Sequence, residues 1–244
     1  MGALMPLTAP TLAAVDRYWS SFFGCPRVAL EAPGTSVLPH AELEHYRGLF
    51  IFVRGAAALV SAPPDALDHW RGQLAALAPA SLLDAPALAR RLGLDPQRLI
   101  GPASLAYADT ESLRPLPTPG ARLLTTADEA AYEKLRKACP PIEWGHGGSE
   151  MGLLPLAGQF ARGRLVALAG YEIWGERIAH IAVITHPTQR GKGHGAAVVS
   201  LLAETVVARG MVAQYRTLSA NAPSMRIAAG LGFAPYAQTL AVRL

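Results

Sequence analysis

The chain has 244 residues, 51% of them apolar, which is enough to bury a substantial core in one large domain or two small ones. Its 22 basic and 18 acidic residues leave a net charge of +4 with no basic stripe or interleaved aromatics, which argues against nucleic acid as a partner. No apolar run reaches the roughly eighteen residues of a bilayer span, because Arg54 and Glu172 interrupt the longest candidates, and MGALMPLTAP lacks the basic start of a secretory signal. Cys25 and Cys139 stand outside any CxxC or histidine spacing, so they read as reduced packing residues of a cytoplasmic protein with no metal site.

Residues 11–23, TLAAVDRYWSSFF, carry Leu12, Val15, Trp19 and Phe22 at helical intervals and predict an amphipathic helix before the break from Gly24 to Pro26. LFIFVRGAAALVSAPP predicts two strands joined around Arg54 and Gly55 and stopped by Pro63 and Pro64. Asp65 to Leu77 and Ala85 to Leu92 predict helices, the first with Leu67, Trp70, Leu74 and Leu77 on one face, the second capped by Gly93. The proline- and glycine-rich LRPLPTPGARL then marks a boundary. Residues 1–118 are expected to form a smaller α/β accessory domain, and residues 121–244 a second α/β domain.

In that second domain Leu123 and Leu124 predict a short strand, Thr126 caps a helix beginning at Asp128, and PPIEWGHGGSE reads as a loop. Strands over 156–161 and 165–174 follow, turning at Arg162 and Gly163. His180 to Thr185 is the next strand, rich in β-branched residues and ended by Pro187, which has no amide hydrogen to donate to a ladder. With Gly175 and Glu176 as a two-residue hairpin loop, Glu172 pairs with Ala179 and Tyr171 with His180. Glu172 and His180 would then point to opposite faces of the sheet.

Beyond this strand lie Arg190, Gly191, Lys192, Gly193, His194 and Gly195, then a helix marked by Val198, Leu201, Leu202 and Val206 and closed by Gly210. Glycines let a ligand approach the backbone, and the free amides and dipole of a helix's first turn favour an anion. Arg190 and Lys192 add full charges, so a pyrophosphate suits the turn. The competing reading is an ordinary glycine-rich strand-to-helix connection. The spacing matches neither a P-loop nor a dinucleotide fingerprint. Met211 to Leu218 predicts another strand, Asn221 opens a helix closed by Gly232, and Tyr236 to Leu244 alternates into a last strand.

Two segments, RGKGHG before the long helix and NAPSMRIAAGLGF, which starts at Asn221 eleven residues beyond Gly210, together resemble the signature of the GCN5-related N-acetyltransferases, the GNAT superfamily. That signature is Q/R-x-x-G-x-G/A after a strand, then N-x-x-[AS]-x(6)-L-G-F. The resemblance covers roughly residues 121–244. It implies a mixed central sheet with flanking helices and acetyl-CoA as acyl donor, with Arg190 through Gly195 on its pyrophosphate. Backbone groups of Val183, Ile184 and Thr185 would pair with the pantetheine arm where the strand splays from its neighbour. Asn221 would touch that arm, cap its helix, or do both. The RTL..N..S segment looks closest to the branch with glycine-acyltransferase-like (FR47-like) members. Tandem copies occur in the superfamily, so the accessory domain is a candidate degenerate second copy, without a glycine-rich turn of its own.

Acyl transfer from a thioester to an amine needs a neutral amine, a stabilised oxyanion and a proton for the leaving thiolate. His180 is the preferred base, on the donor strand and with an ordinary pKa near neutrality; a packed, hydrogen-bonded strand histidine is the competing reading, and Glu172 is the reserve. Many members place a tyrosine seven positions after the asparagine, where this chain has Ala228. Ser224, which faces the sulfur or bonds back to the cap, Tyr215 and Tyr236 are the available substitutes. Glu143, Trp144 and His146 lie where the superfamily often builds its acceptor pocket. The expected function is direct acetyl transfer to a small-molecule or peptide amine, with a homodimer as the one assembly considered. The alternative is an acyl-CoA-binding sensor or scaffold that has lost its acid.

Overall fold

The structure is a computed structural model and describes residues 5–43 and 45–244, so the reading of the first residues as carrying no signal lies partly outside it. In chain order the elements are α1 (Ala9–Phe23), β1 (Gly34–Pro39), β2 (Gly48–Arg54), β3 (Ala57–Ala62), α2 (Leu67–Leu74), α3 (Ala85–Leu92) and β4 (Leu99–Ala108). There follow β5 (Ala121–Leu123), α4 (Glu129–Ala138), α5 (Pro141–Gly147), β6 (Ala157–Ala161), β7 (Arg164–Trp174) and β8 (Ile178–Thr185). The chain ends with α6 (His194–Ala208), β9 (Val212–Leu218), α7 (Ala222–Gly230) and β10 (Ala234–Arg243). This is the mixed α/β class that the alternating pattern predicts. Among the described residues no helix is long and apolar enough to cross a membrane, and no cluster of three or more His, Cys, Asp or Glu side chains suited to a metal occurs.

The elements gather into two compact, discontinuous units. The N-terminal unit holds Ala9–Leu105 with Thr217–Asn221 and Pro235–Leu244. A linear cut near 118 does not describe this exchange: β10 pairs antiparallel with β2, Gln238 opposite Val53 and Arg243 opposite Gly48. The strand order there is β1-β3-β2-β10-β4. β2 is apolar along nearly its whole length because both faces are covered. Trp19 and Phe23 of α1 pack on Phe50 and Phe52, while Trp70, Leu74 and Leu88 share a core with Leu49, Ile51 and Val60. β4 has no counterpart in the sequence reading, because Gly101 and Pro102 near its start dilute the strand pattern.

The second unit holds Ala106–Arg216 and Ala222–Ala234, with strand order β4-β9-β8-β7-β6-β5. Odd-numbered residues of its central strands, including Tyr171, Ala179, Ile181, Ala213 and Tyr215, pack with Val198, Leu202 and Val206 of α6. Even-numbered Leu168 and Ile184 pack with Tyr132 and Leu135 of α4 on the other face.

Three local expectations change here. Thr125 rather than Thr126 is the cap, in a capping box with Asp128, and α4 starts at Glu129. The segment read as a loop folds as α5, with Pro141 at its first position and the Gly148 amide bonded back to the Trp144 carbonyl. The β7–β8 hairpin turns through three residues, Gly175 to Arg177, with Gly175 at φ 59°. The register therefore moves by one: Trp174 faces Ile178, and Glu172 faces His180.

Candidate active site

β8 and β9 run parallel, and their pairing extends from Ile178 opposite Val212 to Ile181 opposite Tyr215. Residues 182–185 continue past the last pair, so among the described residues Val183, Ile184 and Thr185 are paired in register with β7 and not with β9. The ladder ends where the resemblance expects the strand to part from its neighbour. The side chains of Val183 and Ile184 pack into the cores on opposite faces. Whatever these two residues do for a ligand falls to their backbone. Gly147 at the end of α5 lies against this stretch, since a Cβ there would stand 2.5 Å from the Val183 carbonyl oxygen.

The glycine turn follows directly. Gly191 and Gly193 have φ of 76° and 83°, conformations that side chains oppose, and an added Cβ would meet nothing within 4 Å at either. Gly195 differs. It is buried, and a Cβ there would press on Thr185 Oγ1 at 3.2 Å and Ile227 Cδ1 at 3.4 Å, so its smallness lets α6 sit close to β8 and α7. The first bond inside α6 is donated by the Ala197 amide to the Gly193 carbonyl at 3.1 Å, which leaves the preceding amides of the turn directed away from the helix body. Lys192 donates to Gln189 at 2.9 Å, and Arg190 forms a forked ion pair with Glu143 of α5. An exposed turn with open space at two glycines, two cations and a helix N-terminus fits a diphosphate. His194 is the first residue of α6.

The one-residue change in hairpin register brings Glu172 and His180 onto the same face, as cross-strand partners. Glu172 is exposed and His180 partly buried. Trp174 stacks on the imidazole at 4.2 Å between ring centroids and 20° between planes. On the other side His180 Nδ1 lies 2.6 Å from Gln214 Oε1, and Gln214 Nε2 donates to the Tyr107 hydroxyl at 2.7 Å. Gln214 and Tyr107 are both fully buried. The sequence reading missed both; the polar residue between the apolar Ala213 and Tyr215 was the available signal. Burial pushes the His180 pKa down, opposed by the Gln214 hydrogen bond, with smaller effects from Arg216 downward and Glu172 upward. The imidazole is thus held neutral, the state a base requires.

Ser224 lies 2.8 Å from the Tyr215 hydroxyl. Burial pushes the Tyr215 pKa up and the Ser224 bond partly offsets it, so the phenol keeps its proton near neutral pH. Tyr236 belongs to the N-terminal unit, where its hydroxyl donates to Asp16 at 2.8 Å and its ring lies under the Arg54 guanidinium at 4.4 Å. It serves packing there and is removed from the candidate acids. Ala228 is buried among the residues that pack around α6. Asn221 directly precedes α7, and its own amide donates to the Leu218 carbonyl at 2.9 Å.

On α5, Glu143 is engaged with Arg190, Trp144 packs edge-on against Tyr132 at 5.6 Å, and His146 is exposed. The following loop is tied down by Tyr132, whose hydroxyl donates to Glu150 at 2.9 Å and whose pKa is pushed up to about 12, chiefly by burial. Ser149 of this loop covers Gly170 of β7 so closely that any side chain at 170 would collide with it. A cleft of about 550 Å³ lined by Lys134, Arg164, His186 and Gln189 opens beside the approach to the turn, away from His180.

Residues 122–233 match the Acetyltransferase (GNAT) family. No curated protein matches the chain. Among solved structures it is similar to a GNAT-family protein of Novosphingobium aromaticivorans, 26% identical, covering 60% of this chain and 66% of that one, with a TM-score of 0.46. A GCN5-related N-acetyltransferase-like protein of Streptococcus suis is 14% identical over 95% of this chain and 99% of that one, with a TM-score of 0.49. A Salmonella typhimurium protein solved with its cofactor acetyl-CoA is 18% identical over 51% of this chain and 92% of that one, with a TM-score of 0.39. The chain spans just under two thirds of the length of the Novosphingobium protein.

Proposed function

We propose that the chain transfers an acetyl group from acetyl-CoA directly to a primary amine. The observation that carries this reading is the exposed glycine turn at the N-terminus of α6, beside the end of β8 that extends past its pairing with β9. Bound there, acetyl-CoA supplies an activated thioester. Arg190, Lys192 and the amides from Gly191 to Gly195 hold its diphosphate, and the backbone of residues 183–185 aligns its arm. His180 takes the proton from the incoming amine. Tyr215, bonded to Ser224, is the proton source on the opposite face of the sheet, in place of the missing tyrosine at Ala228. Glu143, Trp144 and His146 border the acceptor's side, and a closeness to glycine-acyltransferase-like members is part of the same proposal. The N-terminal unit serves as an accessory to this reaction.

Calorimetric titration with acetyl-CoA tests the donor site. Gly193→Glu is the informative control, because Gly193 is exposed and has open space around it, whereas a glutamate at buried Gly195 would disturb packing. Saturable binding by the native protein and its loss in Gly193→Glu support the reading, and an amine screen follows. Binding without transfer to any amine would favour the sensor reading, which the buried alanine at 228 makes specific. No binding at all overturns both.

A further inference from the structure

Three strands contribute one side chain each to a line across a single sheet face: His180 from β8, Gln214 from β9 and Tyr107 from β4. Gln214 sits directly opposite His180 in the parallel ladder. The line has a direction. The amide nitrogen of Gln214 donates to Tyr107, so its carbonyl oxygen is the atom presented to the imidazole. A carbonyl oxygen carries no hydrogen. The proton in a 2.6 Å contact between it and Nδ1 must therefore belong to the histidine.

We infer that Gln214 is a positioning residue, which fixes neutral His180 as the Nδ1–H tautomer and thereby leaves Nε2 as the atom that accepts a proton. Tyr107 anchors the amide by accepting from its nitrogen, and both groups are fully buried, so neither can turn to water instead. Trp174 stacked on the ring fixes its plane. With one edge bonded to Gln214 and one face covered by Trp174, the direction of the Nε2 lone pair is set. The charged groups acting on the ring are Glu172 from β7 and Arg216 from β9, of opposite sign. This inference rests on the reading of His180 as the base.

The test is the tautomer itself, read from long-range ¹H–¹⁵N correlations of the histidine rings, with His180 assigned by the signals lost in His180→Gln. The native protein at pH 8 should show Nδ1 protonated and Nε2 bare. Gln214→Leu should shift the ring toward Nε2–H and lower kcat about tenfold or more, leaving the KM for acetyl-CoA unchanged. Gln214→Glu offers a buried acceptor of the same length, should keep Nδ1–H, and should raise the pKa of His180, moving the rising limb of kcat/KM to higher pH. This second variant keeps the test open if Gln214→Leu fails to fold. A native spectrum showing Nε2–H, or a Gln214→Glu profile coincident with the native one, overturns the inference while leaving turnover intact. A native Nδ1–H spectrum in a protein that acetylates no amine would instead sink the acetyltransferase reading and leave the hydrogen-bond assignment standing.

Discussion

Glu172 and His180 stand opposite one another across the β7–β8 ladder, so a carboxylate and an imidazole share one face of the sheet at the mouth of the hairpin. The carboxylate is exposed and its pull on the imidazole is the smallest of the four influences resolved there. Replacing Glu172 with glutamine removes an upward influence, so the His180 pKa falls further. Because the proposed base works in its neutral form, the rising limb of the kcat/KM profile should move to lower pH. Water screens the pair, so the shift should be small and should shrink at 1 M salt. A shift to higher pH would show that Glu172 acts on the acceptor amine and not on His180.

Tyr215 and Ser224 are the pair proposed to protonate the departing thiolate, since their oxygens are 2.8 Å apart and the phenol stays protonated near neutrality. A thiolate leaves readily, so the contribution should be modest: Tyr215→Phe should lower kcat about tenfold with little change in the KM for acetyl-CoA. Tyr236→Phe is the contrasting variant. It removes a bond to Asp16 in the N-terminal unit and should cost about 1 kcal/mol of stability while leaving kcat unchanged. Equal turnover in Tyr215→Phe and native protein would assign the proton to water.

Arg190 is paired with Glu143 before any diphosphate arrives, and the two side chains are about half exposed. Donor binding must compete with that pair. Glu143→Gln should therefore tighten acetyl-CoA binding by about two- to fivefold, the range expected for releasing an exposed ion pair. Arg190→Ala should weaken it. Calorimetry of both variants at low and high salt checks the pair of outcomes, and weaker binding by Glu143→Gln would mean that the carboxylate orients Arg190 toward the ligand.

The glycine turn proposed to hold the donor was legible in the sequence because its signals are local. Glycines at 191 and 193 are required by backbone conformation, and the strand before them and helix after them are marked by periodicity. The proposed base, His180, was legible as a residue type but not in its setting. One extra loop residue in the β7–β8 hairpin reversed the relation of Glu172 to His180, and nothing in GYEIWGERIAH distinguishes a two-residue from a three-residue turn. Gln214 and Tyr107 lie 107 positions apart, and their meeting depends on strand order. The place of Tyr236 likewise follows from β10 pairing with β2, a relation between the two ends of the chain.

Gly232, the glycine of the second motif, has a role that the motif alone does not state. It adopts φ 81°, and a Cβ there would collide with the Ser112 carbonyl, while the neighbouring Leu231 carbonyl accepts from the Arg114 amide at 2.8 Å. The motif therefore latches the end of α7 onto the segment after β4. Gly232→Ala combines backbone strain with a clash against main chain and should cost about 2–4 kcal/mol in urea unfolding. A loss below about 0.5 kcal/mol would show that the segment gives way, and the latch would not matter for stability.

Acid should destabilise the protein in two stages. His40, 2.6 Å from Ser61, and His180 both have pKa values lowered from 6.5, chiefly by burial. A histidine whose folded pKa lies below its unfolded one binds its proton more readily when unfolded. Stability is then complete above about pH 6.5 and falls as the pH drops from there toward the folded values. Asp128 acts lower down: the Arg122 hydrogen bond at 2.7 Å and the Thr125 amide hold its carboxyl well below 3.8, so its contribution is present above that value and is lost beneath it. The melting temperature should be level from pH 8 to about 6.5, decline toward pH 5, and drop again below about 4. Replacing both His40 and His180 with asparagine should flatten the first decline and leave the second, whereas a native profile that stays level down to pH 5 would mean that these histidines are hydrated when charged.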